Sequence, residues 1–223
     1  MTQTETGVIT LASGSPRRRE LLSLVGLPFE LAQVDVDETP YPGEAAAVYT
    51  ARLSQEKARA ALHLVAAPAL ILAADTTVVD GGTILGKPAS TAEARTMLQQ
   101  LRGHMHQVYT ALTLIDAATG RSVTEVALTK VPMRRYTDDE IDAYIASGDP
   151  FDKAGSYAIQ NASFRPVPSL RGCYANVMGL PLCHLLRALR AFGVVPEADV
   201  PLLCQHRIHY DCDVTKDILA GRA

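Results

Sequence analysis

At 223 residues, with 48% apolar and 20% charged side chains, the chain has enough material for one well-filled core. A net charge of −3 excludes a broad basic footprint for nucleic acid, so any basic site must be local. No run reaches the roughly 18 apolar residues of a membrane helix, and Met1–Thr6 lacks the charged-then-apolar pattern of a signal peptide. The chain therefore reads as cytoplasmic, with neither membrane nor nucleic acid as a partner. Trp is absent and only four Phe occur, so the core rests on Leu, Val, Ile and Ala.

Val8–Ala12 predicts a first strand. Ser13-Gly14-Ser15 is a tight loop, and Ser15-Pro16 has the form of a helix N-cap followed by proline at the first helical position. That helix runs through Leu21, Leu22, Leu24 and Val25 to Gly26. Residues 29–34 predict a second strand, and the prolines and glycine of 37–43 mark a loop. A long helix follows over 45–65, then a strand from Ala69 through Val79 that reads as buried on both faces. Asp80-Gly81-Gly82 is a turn ahead of Thr83-Ile84-Leu85.

Ser90-Thr91-Ala92-Glu93 has the pattern of a capping box and opens a helix that closes at Gly103. Residues 106–116 and 121–133 predict a hairpin across Ala117-Ala118-Thr119-Gly120. A second capping box at Thr137-Asp138-Asp139-Glu140 starts a helix ending at Gly148. Asp149-Pro150 breaks the chain before an expected strand over 156–160, and 181–192 predicts a last helix stopped by Gly193. After Pro196 the periodicity weakens, so 196–223 is expected as a tail of uncertain order beyond a domain over 1–195. Strands alternating with helices, plus one antiparallel hairpin, predict an α/β fold with a mixed sheet flanked by helices.

Two charges break the apolar pattern. Asp75 stands within the buried strand, and Lys57 sits on a helical stripe with Leu53, Ala61 and Leu64. A half-buried charge costs several kcal/mol unless it is paired or binds something. Arg17, Arg18 and Arg19 crowd a helix N-terminus that is already positive; an anion there would turn each unfavourable interaction favourable. With Ser13 and Ser15 upstream and Gly86-Lys87-Pro88 downstream, these residues point to a polyanionic ligand. Glu38 and Asp75 are candidate ligands for a hard divalent cation, which favours a few carboxylates completed by phosphate oxygens and water. Gln160, expected at a strand end, offers an amide that can read a base edge.

Cys173, Cys183, Cys204 and Cys212 are expected as reduced thiols. Cys204, His206, His209 and Cys212 form a C-x-H-x2-H-x2-C cluster that matches no standard zinc finger, so a zinc-dependent interaction module centred on the tail is one rival reading. No G-x-S-x-G elbow, Walker A loop or G-x-G-x-x-G fingerprint occurs.

Several motifs taken in order resemble the Maf family of nucleotide pyrophosphatases. They are Leu11-Ala12-Ser13-Gly14-Ser15-Pro16-Arg17-Arg18, the Leu53…Lys57-Ala58 helix, Ala74-Asp75-Thr76 and Gly86-Lys87-Pro88. Asp152-Lys153-Ala154-Gly155-Ser156-Tyr157-Ala158-Ile159-Gln160 and Asn176-Val177-Met178-Gly179-Leu180-Pro181 complete the set. The resemblance spans roughly 7–193 and implies a fold like the inosine-triphosphate pyrophosphatases, with two lobes around a cleft. It implies hydrolysis of a nucleoside triphosphate to the monophosphate and pyrophosphate with Mg2+ or Mn2+, and it allows a homodimer.

By that resemblance Asp75 is the catalytic acid/base and Glu38 and Asp75 hold the metal. Ser13, Arg17, Arg18, Lys57, Thr76, Lys87 and Gln160 bind substrate. Asp-Thr-Thr and Ala-Ile-Gln look like the dTTP/UTP branch; Asn161 stands where the family often has Gly. The alternatives are 7-methyl-GTP as substrate, or a nucleotide-binding regulator of septum formation without hydrolysis.

Overall fold

The computed structural model describes residues 8–222. The segment Met1–Thr6, expected to be no signal peptide, lies outside the described residues. One six-stranded sheet carries the fold: β1 (Val8–Ala12), β2 (Phe29–Ala32), β3 (Ala69–Asp80), β4 (Thr83–Leu85), β5 (Met105–Asp116) and β6 (Ser122–Pro132). The order is β2-β1-β3-β5-β6, with β4 folded back on the far end of β3. β1 pairs parallel with both β2 and β3, while β3, β5 and β6 are antiparallel, so the mixed sheet expected from the sequence is present.

The long strand β3 decides where a site can form. It pairs with β1 only as far as Leu72, opposite Leu11, and then runs on for eight more residues while β1 ends at Ala12. The stretch from Ala73 to Val79 keeps its β5 partner and loses its β1 neighbour. This leaves a gap beyond the carboxyl end of β1, where open α/β sheets receive ligands.

Alternation along β3 sends Ile71 and Ala73 to one face, against Ala58 and Ala61 of α2 (Ala46–Ala61). Leu70, Leu72 and Ala74 point to the other face, into the main core. That core is closed by α1 (Pro16–Ser23), α3 (Thr91–Leu101), α4 (Asp138–Ala146), α5 (Tyr174–Met178) and α6 (Leu182–Ala191). The Thr137 capping box forms in full, whereas Glu93 accepts from the Ala89 amide and leaves Ser90 to cap the Glu93 amide alone.

Two expectations need correction. Residues 156–160 form no strand, because Gly155 and Ser156 both adopt left-handed backbone, at φ 68° and 62°, inside a turn. The Tyr157–Ile159 side chains are buried all the same, so their apolar run reflects packing and not pleating. Beyond Pro196, the expected tail of uncertain order folds as α7 (Val200–Ile208) and α8 (Thr215–Leu219). Val200 and Ile218 are buried in the main core, so the segment is an integral part of its packing. Among the described residues no helix is long and apolar enough to cross a membrane.

Candidate active site

The gap beside β3 is a cleft of about 440 Å³. Ser13, Arg17, Arg18, Glu38, Lys57, Asp75, Thr76, Lys87 and Gln160, which the sequence scatters over 148 positions (13 to 160), all line it. Several elements of the fold bring them there. Ser13 lies in the loop leaving β1, and Ser15 caps α1 by accepting from the Arg18 amide, with Pro16 at the first helical position. The first turn of α1 therefore presents Arg17 and Arg18 to the cleft and leaves Arg19 exposed.

Arg18 is tightly held. Its Nε donates to the Gly179 carbonyl at 2.8 Å, one terminal nitrogen donates to Ser13 Oγ at 3.2 Å, and the other to Thr76 Oγ1 at 3.1 Å. A guanidinium has five N–H bonds, so two remain for a ligand. Thr76 Oγ1 lies 3.0 Å from Thr110 Oγ1, and Thr110 donates to the Asn176 carbonyl at 2.8 Å. The direction is therefore set: Arg18 donates to Thr76, Thr76 to Thr110, and Thr110 to Asn176. Thr76 and Thr110 are direct register partners on β3 and β5, which is why their hydroxyls meet. Burial lowers the Arg18 pKa, Asp75 opposes that, and Arg17 adds to it.

On the other face of β3, Lys57 reaches across from α2. Its ammonium donates to Asp75 Oδ1 at 2.6 Å and to Glu38 Oε1 at 2.7 Å. The two charges that broke the apolar pattern are thus each other's partners. Asp75 is buried, and Thr77 donates to its second oxygen at 3.4 Å. Burial pushes the Glu38 carboxyl up, but the Lys57 hydrogen bond and charge, with Lys87 and Arg18, outweigh it and hold the group below its usual range. Lys87 stands 3.8 Å from Glu38 Oε2.

The opposite wall is built from residues 152–160. Asp152 joins Arg17 at 3.4 Å and the buried Lys153 at 2.5 Å, and Lys153 also pairs with Asp149. The Gly155 amide donates to the Gly86 carbonyl, which ties this wall to the Lys87 loop. A Cβ on Gly155 would come within 2.8 Å of Val78, so the close approach requires glycine.

Gln160 is exposed at the cleft in a turn, and not at a strand end, so its amide faces solvent. Asn161 is absent from the cleft lining. Its side chain accepts from the Ser163 and Phe164 amides and donates to Asp149.

Sequence reasoning missed several supporting residues. The Tyr49 hydroxyl donates to the Glu38 carbonyl at 2.7 Å and fixes that loop; burial pushes its pKa up to about 12. Its signal was the spacing Tyr49, Leu53, Lys57, three positions of one helical face. Thr110 had no signal, since its role depends on strand register, whereas Asn176 stood in a motif with no role assigned to it.

The zinc reading of the tail fails on geometry. Cys204 and Cys212 turn toward an apolar pocket shared with Cys173 and Cys183, whereas His206 and His209 are exposed. The four thiols are free. Among the described residues no group of three or more His, Cys, Asp or Glu is arranged to hold a metal ion.

The model of Maf-like proteins matches residues 8–192. The chain belongs to the Maf family. Its Maf relatives include the dTTP/UTP pyrophosphatase of Citrifermentans bemidjiense, 45% identical over 84% of this chain and 96% of that protein. The dTTP/UTP pyrophosphatase of Desulforamulus reducens is also 45% identical, over 83% of this chain and 97% of its own. Among solved structures, the nucleoside-triphosphatase / dITP/XTP pyrophosphatase of Mycobacterium abscessus is 16% identical. It aligns over 82% of this chain and 97% of its own at a TM-score of 0.40. The Maf match ends before α7 and α8, which lie beyond it.

Proposed function

We propose that this protein hydrolyses nucleoside triphosphates, dTTP and UTP in preference, to the monophosphate and pyrophosphate, removing them from the nucleotide pool. The observation that carries this is the convergence of Arg17, Arg18, Lys57, Lys87, Glu38 and Asp75 on one cleft, joined to the family's dTTP/UTP pyrophosphatases. Cations at a helix N-terminus suit a polyphosphate, and a cleft of this size takes a nucleotide.

In this reading Asp75 accepts the proton of a water that attacks the α-phosphorus. The bond from that phosphorus to its bridging oxygen breaks, and pyrophosphate leaves. Arg17, Lys87 and the two spare N–H bonds of Arg18 hold the triphosphate in line and offset the charge gathering on its oxygens, so positioning and electrostatics supply most of the rate. Gln160 faces the base.

Glu38 and Asp75 fit a divalent ion. Both are hard oxygen donors close enough to share one ammonium, and with no third ligand grouped with them among the described residues the ion would complete its shell with phosphate and water. Bound there, Mg2+ or Mn2+ supplies Lewis acidity and charge neutralisation at the phosphate oxygens.

The test is pyrophosphate release from dTTP, UTP, CTP, purine and 7-methylated triphosphates, with wild type and Asp75→Asn. Turnover of dTTP and UTP, reduced about 10²–10⁴-fold by Asp75→Asn, is expected. Near-full turnover by the variant sinks the assignment of Asp75, and tight nucleotide binding without any release by wild type favours a regulator over an enzyme.

A further inference from the structure

The Lys57 ammonium lies 2.7 Å from Glu38 Oε1 and 2.6 Å from Asp75 Oδ1, on the ground where the two carboxylates would share a divalent ion. We propose that Lys57 is a resident counter-ion that the metal must displace, and that the incoming triphosphate is what receives the displaced ammonium. Metal and nucleotide then bind cooperatively. The proposal rests on reading the cleft as a nucleoside triphosphate site.

Charge balance argues for the exchange. Glu38 and Asp75 carry two negative charges, of which Lys57 compensates one, and Lys87 approaches Glu38 from its other oxygen. A divalent ion added to this set would face an ammonium already at contact distance from both ligands. Like charges held that close repel strongly in a partly desolvated site. With Lys57 moved onto phosphate oxygens, each cation has an anionic partner.

The mechanics single out Lys57 as the group that moves. Asp75 belongs to β3 and pairs in register with Ala111 of β5, so its position is rigid. Glu38 is tethered at its backbone by Tyr49. Lys57 carries its charge on a flexible four-carbon stem that opens on the cleft. Arg18 cannot take its place, because three of its N–H bonds are committed to Gly179, Ser13 and Thr76. By reciprocity, whatever factor the nucleotide adds to metal affinity, the metal adds to nucleotide affinity.

The experiment is calorimetric titration of MnCl2 into wild type, Lys57→Met and Lys57→Gln. Each is run alone and with α,β-methylene-dTTP, after subtracting binding of Mn2+ to the free analogue, and melting curves establish that the variants are folded. In wild type the analogue is expected to tighten Mn2+ about ten-fold or more. In the folded lysine variants, Mn2+ alone is expected to bind about ten-fold tighter than in wild type, with most of the analogue's added effect gone. Adding Glu38→Gln to Lys57→Met should remove that gain.

Equal Mn2+ affinity in wild type and both variants overturns the proposal, as does an undiminished effect of the analogue or no Mn2+ binding at all. Pyrophosphate release by wild type separates the two levels: if it occurs while Mn2+ affinity ignores Lys57, only the exchange falls. If wild type releases none, the parent reading falls.

Discussion

Arg18 Nε donates to the Gly179 carbonyl at 2.8 Å, and Gly179 offers that carbonyl from a left-handed backbone at φ 109°. A Cβ there would lie 3.2 Å from Thr76 Oγ1 and 3.4 Å from Arg18 Nε, against the two groups that set the guanidinium. Gly179→Ala adds backbone strain of about 1–3 kcal/mol and crowds Arg18 at the same time. It is expected to lower both the melting temperature and kcat/KM for dTTP. Unchanged kcat/KM in a folded Gly179→Ala enzyme would show that the placement of Arg18 does not matter.

The hydroxyl chain from Arg18 through Thr76 and Thr110 to the Asn176 carbonyl puts Thr110 behind Arg18 and outside the cleft lining, so its expected role is to position the guanidinium. Thr110→Val keeps the shape and removes two hydrogen bonds, at about 1 kcal/mol each. The expected result is a fall in kcat/KM of about ten-fold. Thr110→Ser should restore it, because the hydroxyl returns without the methyl. A purely structural role would instead lower the melting temperature of both variants and leave kinetics untouched.

Lys57 and Asp75 were legible because a charge inside an apolar pattern demands a partner, and each proved to be the other's. The strands, the hairpin and the Thr137 cap were legible because their rules are local. What stayed hidden depends on contacts between distant segments. Thr110 matters only because the register sets it opposite Thr76. Tyr157-Ala158-Ile159 imitated a strand, yet the left-handed Gly155, set against Val78, and Ser156 turn the chain there. α7 and α8 each bury a single residue fully, Val200 and Ile218, so neither shows a long apolar stripe. Gln160 carried its chemistry in its type, while its exposure depended on a turn the periodicity concealed.

Two buried histidines predict an acid limit to stability. His106 bonds Tyr157 at 2.8 Å and His184 sits in α6, and burial pulls both pKa values from 6.5 down to about 4. The fold favours the neutral rings, so their contribution is present above the unfolded pKa and is lost as pH falls from about 6.5 to about 4. Two to three units per ring correspond to about 3 kcal/mol each. The melting temperature should fall steadily over that window, and His184→Leu should flatten the slope. An unchanged slope in the folded variant would mean that His184 does not report on acid unfolding.

Gln160 and Asn161 are neighbours with opposite consequences. Asn161 turns away from the cleft to bind Asp149 and the Ser163 and Phe164 amides, so it holds the loop and not the ligand. Asn161→Gly removes three hydrogen bonds and frees the backbone. It is expected to cost about 2 kcal/mol of stability while leaving kcat/KM for dTTP close to wild type. Gln160→Ala should do the reverse. Its amide is exposed in the free protein, so its loss leaves no buried group unpaired and the melting temperature should hold. In the proposed reading a base closes over the amide and desolvates it, and about 1–1.5 kcal/mol of discrimination is expected from that pairing. The ratio of kcat/KM for dTTP over dGTP should therefore shrink about ten-fold in Gln160→Ala and stay unchanged in Asn161→Gly. If Asn161→Gly moved the ratio and Gln160→Ala did not, base choice would belong to the loop's backbone and not to the amide that faces the cleft.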